Sequence, residues 1–377
     1  MPKKKTRASN GMGSIRQRKD KTWEARYSTP EGRQKSLYGK TEGEVTKKLK
    51  AVLHEIDTGA WMEPSKMTVG EWLEVWLRDY QGHTSGSTLL TYQGVVKTRL
   101  NPALGKVKMA KLSPIHVRRM VVDMKKAGRT PATIHHAVGI FSGAMRAAIE
   151  AGIIKSNPTD GIKLPKKARP SFNVIDREQI PAFVEAVEHT QYPNELLFML
   201  YTGIRAGEVR GLRWGDIDFD AGTAHIQRQL QPSGLGFTPP KDGEEREIHL
   251  TAEAVDVLKR QRKRQLEQRV AAYEWHEDGA KDLVFRKPDG TPHSTGTIYR
   301  AVRKVGEEIG IPTLHPHELR HSYAVAALRS GVDVKTVQHN LGHAHASVTL
   351  DTYAAYTSDA GKEGAKKLSE YFKNAQK

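Results

Sequence analysis

Residues 315–323 read His315-Pro316-His317-Glu318-Leu319-Arg320-His321-Ser322-Tyr323. The stretch contains His-Glu-x-x-His, in which two histidines on one helical face can bind zinc while the glutamate acts as a base. Arg320 argues against that reading. It lies three residues after His317, on the face both ligands would share, where a permanent cation repels zinc and competes for Glu318. No third ligand follows at the longer spacing, because the chain continues Ser322-Tyr323-Ala324. Without zinc, His317 and Arg320 set an imidazole and a guanidinium one helical turn apart. Such a pair suits a single phosphate, since arginine matches phosphate oxygens two at a time. His315, before Pro316, reads as positional.

Working outward, further groups of the same kind recur. Thr202-Gly203-Ile204-Arg205-Ala206-Gly207-Glu208 ends one helix and starts another, with Arg205 at the junction where backbone N–H groups are free. The plain alternative for Arg205 is a helix-end ion pair with Glu208. Leu341-Gly342-His343 stops a helix on glycine and leaves His343 at its end, and Tyr353 follows ten residues later. Glu208 and Asp216 read as carboxylates that orient arginines. His321, His339 and His345 read as structural or solvent-facing.

The 377 residues include 60 Lys and Arg against 43 Asp and Glu, a net charge of +17. Mean hydropathy is −0.60 and no long apolar run occurs, which rules out a membrane-spanning helix. The basic amino terminus has no apolar stretch behind it and is not a secretory signal. Cysteine is absent, which excludes disulfides and thiol nucleophiles and suits a reducing cytoplasm. The charge is uneven. Residues 1–160 hold 29 Lys and Arg against 14 acidic residues, and residues 161–377 hold 31 against 29. The first part is the footprint expected for a polyanion, most simply nucleic acid; the alternative is a basic surface with no partner.

The pattern predicts three domains. In residues 1–60 a basic tail precedes three short strands between Ser14 and Tyr38, with Trp23, Ala25 and Tyr27 on one face and Glu24 and Arg26 on the other. A helix follows, capped by Thr41 with Glu44 and striped by Val45, Leu49, Leu53 and Ile56. Arg16, Arg18, Arg26, Arg33 and Lys35 decorate this sheet, which could lie in a DNA groove. Residues 66–162 predict four helices. The first opens on a Thr68–Glu71 capping box, and the others run from Thr88 to about Leu100, from Pro114 to Lys126 and from Pro131 to Ala151. Residues 163–171 (KLPKKARPS) form the clearest connector. Residues 172–377 predict helices from Asp176 to Glu188 and from Asn194 to Tyr201, then strands between Ile217 and Leu250. A long charged helix from Thr251 to about Tyr273, a short strand Leu283–Phe285 and a helical remainder follow. The tail places Ala365, Leu368 and Phe372 at helical spacing.

Arg205, Lys241, His317 with Arg320, His343 and Tyr353, in that order within about 150 residues, resemble the catalytic groups of the tyrosine recombinases, the phage and transposon integrases that include lambda integrase. The strand-and-helix module resembles the arm-DNA-binding domain of conjugative-transposon integrases. The four-helix segment ending Ser156-Asn157-Pro158 resembles the family's core-site-binding domain. The resemblance implies an α+β, mainly α chain that cuts and rejoins double-stranded DNA at core and arm attachment sites, as a homo-tetramer on synapsed DNA. An excisionase or DNA-bending protein would be the accessory partner; no cofactor, metal or membrane is implied. By the same resemblance Tyr353 attacks the scissile phosphate, Arg205 and Arg320 clamp its oxygens, and Lys241 protonates the leaving 5′-oxygen. His317 is the base toward the tyrosine, and His343 donates a hydrogen bond to the phosphate.

Two departures stand out. Asp242 follows Lys241 where the family more often has Ser or Thr, and Asp242, Glu244 and Glu245 raise a lysine's pKa unless phosphates or Arg246 offset them. Ala354-Ala355-Tyr356 follows Tyr353, leaving two tyrosines on one helical face. The resemblance implies Tyr353, because its ten-residue spacing from His343 matches the family, whereas Tyr356 sits almost one further turn of about 5.4 Å away. The alternative function is a DNA-binding regulator that keeps the fold without the chemistry.

Overall fold

A computed structural model describes residues 13–59, 61, 63, 65–82, 84–167, 172–231, 236–240, 245–277, 281–343, 369, 372 and 373. Lys241, Tyr353 and Tyr356, and nearly all of the expected tail helix, lie outside these residues. The architecture is α+β and mainly α, in two compact units, Met1–Ala168 and Arg169–Lys377.

In the first unit β1 (Ser14–Gln17), β2 (Trp23–Ser28) and β3 (Gln34–Gly39) form an antiparallel sheet in chain order. Ile15, Ala25 and Leu37 stand in register on one face. They pack on Val45, Leu49, Leu53 and Ile56 of α1 (Glu42–Asp57), so the period-2 and period-3.6 patterns meet in one small apolar cluster. Thr41 accepts the Glu44 N–H as a cap should, but the Glu44 carboxylate takes the N–H of Lys40, so the capping box is only half formed. Glu24 departs from expectation too: although it faces away from α1, it is buried.

A second cluster is built by α2 (Val69–Asp79), α3 (Gly86–Val95), α4 (Asn101–Leu104), α5 (Pro114–Lys126) and α6 (Pro131–Glu150). The Thr68–Glu71 box opens α2 with both reciprocal bonds. The helix expected from Thr88 to Leu100 extends at both ends. Ser85 caps it, and a π-turn over Val96–Leu100 joins α3 to α4. Pro102 falls just after that π-turn, in the first turn of α4. Ser113 bonds His116 Nδ1 instead of capping α5. Trp72, 1% exposed, donates its indole N–H to the Ala144 carbonyl at 2.8 Å and pins α2 to α6.

The second unit contains α7 (Ile180–Glu188), α8 (Pro193–Thr202), α9 (Ala206–Gly211), β4 (Ile217–Asp218), β5 (Thr223–Ile226), β6 (Gln229–Leu230), β7 (Phe237–Thr238) and β8 (Arg246–His249). Then come α10 (Ala252–Ala271), α11 (Thr295–Glu308), α12 (Pro316–Arg329) and α13 (Val334–Leu341). β4, β5 and β8 form one antiparallel sheet, and β6 pairs with β7. α8 is apolar nearly all round and is the hub of the core, touching α7, α10 and α12. Leu283–Phe285 is not a strand. Only Leu283 bridges, to Arg213, because the Gln261 and Gln265 amides of α10 donate to the Val284 and Leu283 carbonyls that a ladder would use.

Trp72→Ala is expected to lower the unfolding free energy by about 3–5 kcal/mol, and Trp72→Phe by less, measured by urea denaturation. Equal losses would show that the indole's bulk carries no stability there.

Candidate active site

α8 ends at Thr202 because Gly203 adopts φ +67°. A β-carbon there would stand 2.3 Å from a Tyr323 ring atom, so both the backbone angle and the close approach of α12 call for glycine. Two residues on, Arg205 is the N-cap residue of α9. Its backbone N–H donates to Glu208 at 2.9 Å, and its guanidinium donates to the same carboxylate at 3.2 Å and to the Gly342 carbonyl at 2.9 Å. The ion pair expected as the plain alternative therefore exists, together with a second contact 137 residues away.

Glu208 has no exposed side-chain surface and also receives both terminal nitrogens of Arg246, at 3.1 and 2.8 Å. Burial alone would push its carboxyl up. The hydrogen bonds and charge of Arg246, with those of Arg205, outweigh burial and hold it below the usual carboxylate value. Arg246 also donates to the Asn340 carbonyl at 2.9 Å. Two guanidiniums thus take carbonyls at the carboxy-terminal end of α13, the negative end of its dipole.

α13 stops where Gly342 turns left-handed, at φ +62°. His343 is held beyond it by both backbone groups: its N–H donates to the Gln338 carbonyl, and its carbonyl accepts the Gln338 amide. Arg205, Arg246, Lys335 and His343 line a cavity of about 250 Å³. Pro240 and Glu245, which flank residues 241–244, line it as well.

α12 starts at Pro316 with His315 as its cap residue. The Glu318 carboxylate accepts the His315 N–H at 3.0 Å, the Asn173 N–H at 2.7 Å and the Asn173 side-chain amide at 2.8 Å. The glutamate of His-Glu-x-x-His therefore ties α12 to residues 173–175 instead of facing a metal, and Ser322 reinforces the tie through Ile175. Arg320, 1% exposed, donates to the Gly203 carbonyl at 3.0 Å. His317 is exposed at the start of α12, and its ring meets His321 edge-on at 4.7 Å. His321 stacks on Phe172 at 4.2 Å. Burial, then the positive charges of His317, Arg320, His315 and His343, lower its pKa to about 3.

Four of the six sequence candidates thus converge. Arg320 holds the carbonyl two residues before Arg205, and Arg205 holds the carbonyl one residue before His343. His317 and His343 both bear on the same half-buried imidazole, that of His321. Lys241 and Tyr353 lie outside the described residues. Asp216 does orient an arginine, but it is Arg228, through an ion pair, while also accepting from Gln227 and the Arg213 N–H. Sequence reasoning missed Arg246 as the partner of Glu208, and it missed Lys335. A buried position alternating inward on a strand was the available signal for Arg246; Lys335 carried none. The arrangement is a positive concavity whose arginines are oriented by protein groups, which suits an anion that gains charge.

Unfolded His321 takes up its proton near pH 6.5, whereas the folded side chain stays neutral to about pH 3. Stability from this residue is complete above pH 6.5 and is lost progressively as pH falls toward 3. His321→Phe is expected to flatten the fall in urea midpoint between pH 7.5 and 5, and an unchanged slope would assign that fall elsewhere. Glu208→Ala strands two buried or half-buried guanidiniums and is expected to cost about 3–5 kcal/mol, read by thermal and urea unfolding. A loss below about 1 kcal/mol would mean that the arginines are held without it.

Residues 173–359 match the phage integrase family, and residues 68–124 match the N-terminal SAM-like domain of phage integrases. The chain is 24% identical over 359 residues to a "Tyrosine recombinase XerC-like" protein of Caldanaerobacter subterraneus subsp. tengcongensis, spanning 90% of this chain and 92% of that protein. Its fold is similar to the Tn1549 transposon integrase in complex with a circular intermediate DNA, with TM-score 0.68, 21% identity, and coverage of 80% of this chain and 99% of that one. It is also similar to a lambda integrase tetramer bound to a Holliday junction, with TM-score 0.60, 18% identity, and coverage of 91% and 96%. With the arginines, histidines and helix ends arranged as above, the chain belongs to the phage integrase family of tyrosine recombinases, which are DNA strand transferases.

Proposed function

We propose that this chain is a site-specific recombinase that cuts and rejoins double-stranded DNA through a covalent 3′-phosphotyrosine, integrating or excising a mobile element. The observation that carries the reading is the crossed pair of contacts from Arg205 to Gly342 and from Arg320 to Gly203. These bring two permanently charged guanidiniums and His343 into one site. Charge develops on the non-bridging oxygens when a phosphodiester is attacked, and groups already oriented toward that charge stabilise the transition state most.

In this mechanism the Tyr353 oxygen attacks the scissile phosphorus and gives up its proton to His317. Arg205 and Arg320 neutralise the non-bridging oxygens while His343 donates a hydrogen bond to one of them. The phosphorus–oxygen bond to the 5′-side sugar breaks, and Lys241 delivers a proton to that oxygen. The phosphotyrosine conserves the bond, so the reverse attack by a 5′-hydroxyl reseals a strand without ATP. Support for Lys241 is that Pro240 and Glu245, on either side of its segment, line the cavity of Arg205 and His343. The charge of residues 1–160 supplies the electrostatic attraction to DNA.

The division of labour is a three-domain one: residues 1–60 on arm sites, residues 66–162 on core sites and residues 172–377 for catalysis. Separate apolar clusters within the first unit support that division. The likeness to a tetramer on a Holliday junction supports action as a homo-tetramer on synapsed DNA, with an excisionase or DNA-bending protein setting direction. A cytoplasmic site of action is part of this proposal; among the described residues no helix is long and apolar enough to cross a membrane.

A nicked target duplex followed by denaturing electrophoresis tests the chemistry. The wild type and Tyr356→Phe are expected to trap a covalent adduct, and Tyr353→Phe to bind without one. Arg205→Lys is expected to slow adduct formation by about 10²–10³-fold. Binding without any adduct in the wild type would favour the regulator, and an adduct lost only in Tyr356→Phe would move the nucleophile.

A further inference from the structure

The outer face of the sheet in residues 14–39, away from α1, carries an arrangement that DNA attraction alone does not account for. Register places Arg16, Glu24 and Tyr38 side by side across the three strands, and Arg26 beside Ser36 in the next row. Glu24 is the centre of this face. Its side chain is only 4% exposed, yet Arg16 is 57% and Arg26 42% exposed, so the carboxylate lies beneath guanidiniums that remain open. Arg16 donates Nε to one carboxylate oxygen at 2.6 Å, with Nη2 at the same distance. The other oxygen accepts Arg26 Nε at 3.2 Å and the Ser36 hydroxyl at 2.8 Å. Arg18 lies over the Tyr38 ring at the margin, 5.5 Å from its centre.

A carboxylate at the middle of a DNA-facing surface weakens attraction to phosphates, so a surface serving only backbone contact gains from its absence. Its benefit is geometric. Using Nε of Arg26 leaves that residue's two terminal amino groups, a planar pair, pointing from a fixed base. That pair matches the O6 and N7 acceptors which guanine presents in the major groove. We propose that Glu24 is a specificity-positioning residue: it holds Arg26, with Arg16 beside it, to read guanine in the duplex bound by residues 1–60. The inference rests on the reading that these residues bind DNA, and the test separates the two.

Duplexes enriched from a randomised 20-base-pair pool by the intact protein serve as probes. Acetylation footprinting of Lys19 and Lys21, both exposed at the β1–β2 turn, identifies duplexes that occupy the sheet. For those duplexes the affinity ratio over a poly(dA–dT) duplex is measured for the wild type, Glu24→Gln and Arg26→Lys. Glu24→Gln is expected to bind poly(dA–dT) as well as or better than the wild type, having lost a negative charge. Its ratio should fall about tenfold or more, and so should that of Arg26→Lys, which keeps the charge and loses the planar pair. A wild-type ratio in Glu24→Gln, or in Arg26→Lys should Glu24→Gln melt early, overturns the assignment of Glu24. Failure of every enriched duplex to protect Lys19 and Lys21 overturns the DNA-binding reading of the sheet, and the inference with it.

Discussion

The Glu208 carboxylate is shut away from water and shared between two guanidiniums, and most of the second unit's site hangs on that arrangement. A lone carboxylate at such a depth would protonate, and a lone arginine beside it would be expelled toward solvent. Together they fix one another. Arg205 and Arg246 use their remaining donors on carbonyls at the end of α13, so the position of His343 is coupled to the first turn of α9 and to β8. Three elements far apart in the chain are thereby set by one carboxylate.

Glycine makes the second half of this arrangement. Gly203 and Gly342 both adopt left-handed backbone and end helices, and each offers the carbonyl that a distant arginine takes. A carbonyl beyond a helix stop has no intrahelical partner and is free for such a donor. Helix-stop glycines and site arginines are therefore parts of one device. The glycine aims the carbonyl, and the carbonyl in turn fixes the guanidinium that donates to it.

The two units use carboxylates in related ways to different ends. Glu208 sits beneath Arg205 in a closed network, whereas Glu24 sits beneath Arg16 and Arg26 on an open sheet. Glu318 shows a third use, since its position in a zinc-like motif is spent on the N–H groups of His315 and Asn173. The same residue type thus orients, exposes or fastens, according to which donors the fold brings to it.

Much of this was legible from the chain itself. Capping residues and apolar spacing located α2, α6 and α10 closely, because these signals are local and act within one or two turns. Order and spacing singled out Arg205, His317, Arg320 and His343. Tertiary structure alone decided the rest. Leu283–Phe285 is apolar and β-like, but glutamines from α10 take its carbonyls. Ser85 and a π-turn lengthen the second helix of the bundle around Pro102. Arg246 was expected only to offset the acidic neighbours of Lys241, and Glu24 to lie on the sheet face away from α1; both proved buried, because each is matched by donors or acceptors from other strands and helices. Periodicity reports which face a residue takes; whether a charge on that face is solvated or paired depends on groups that only folding brings within hydrogen-bonding distance.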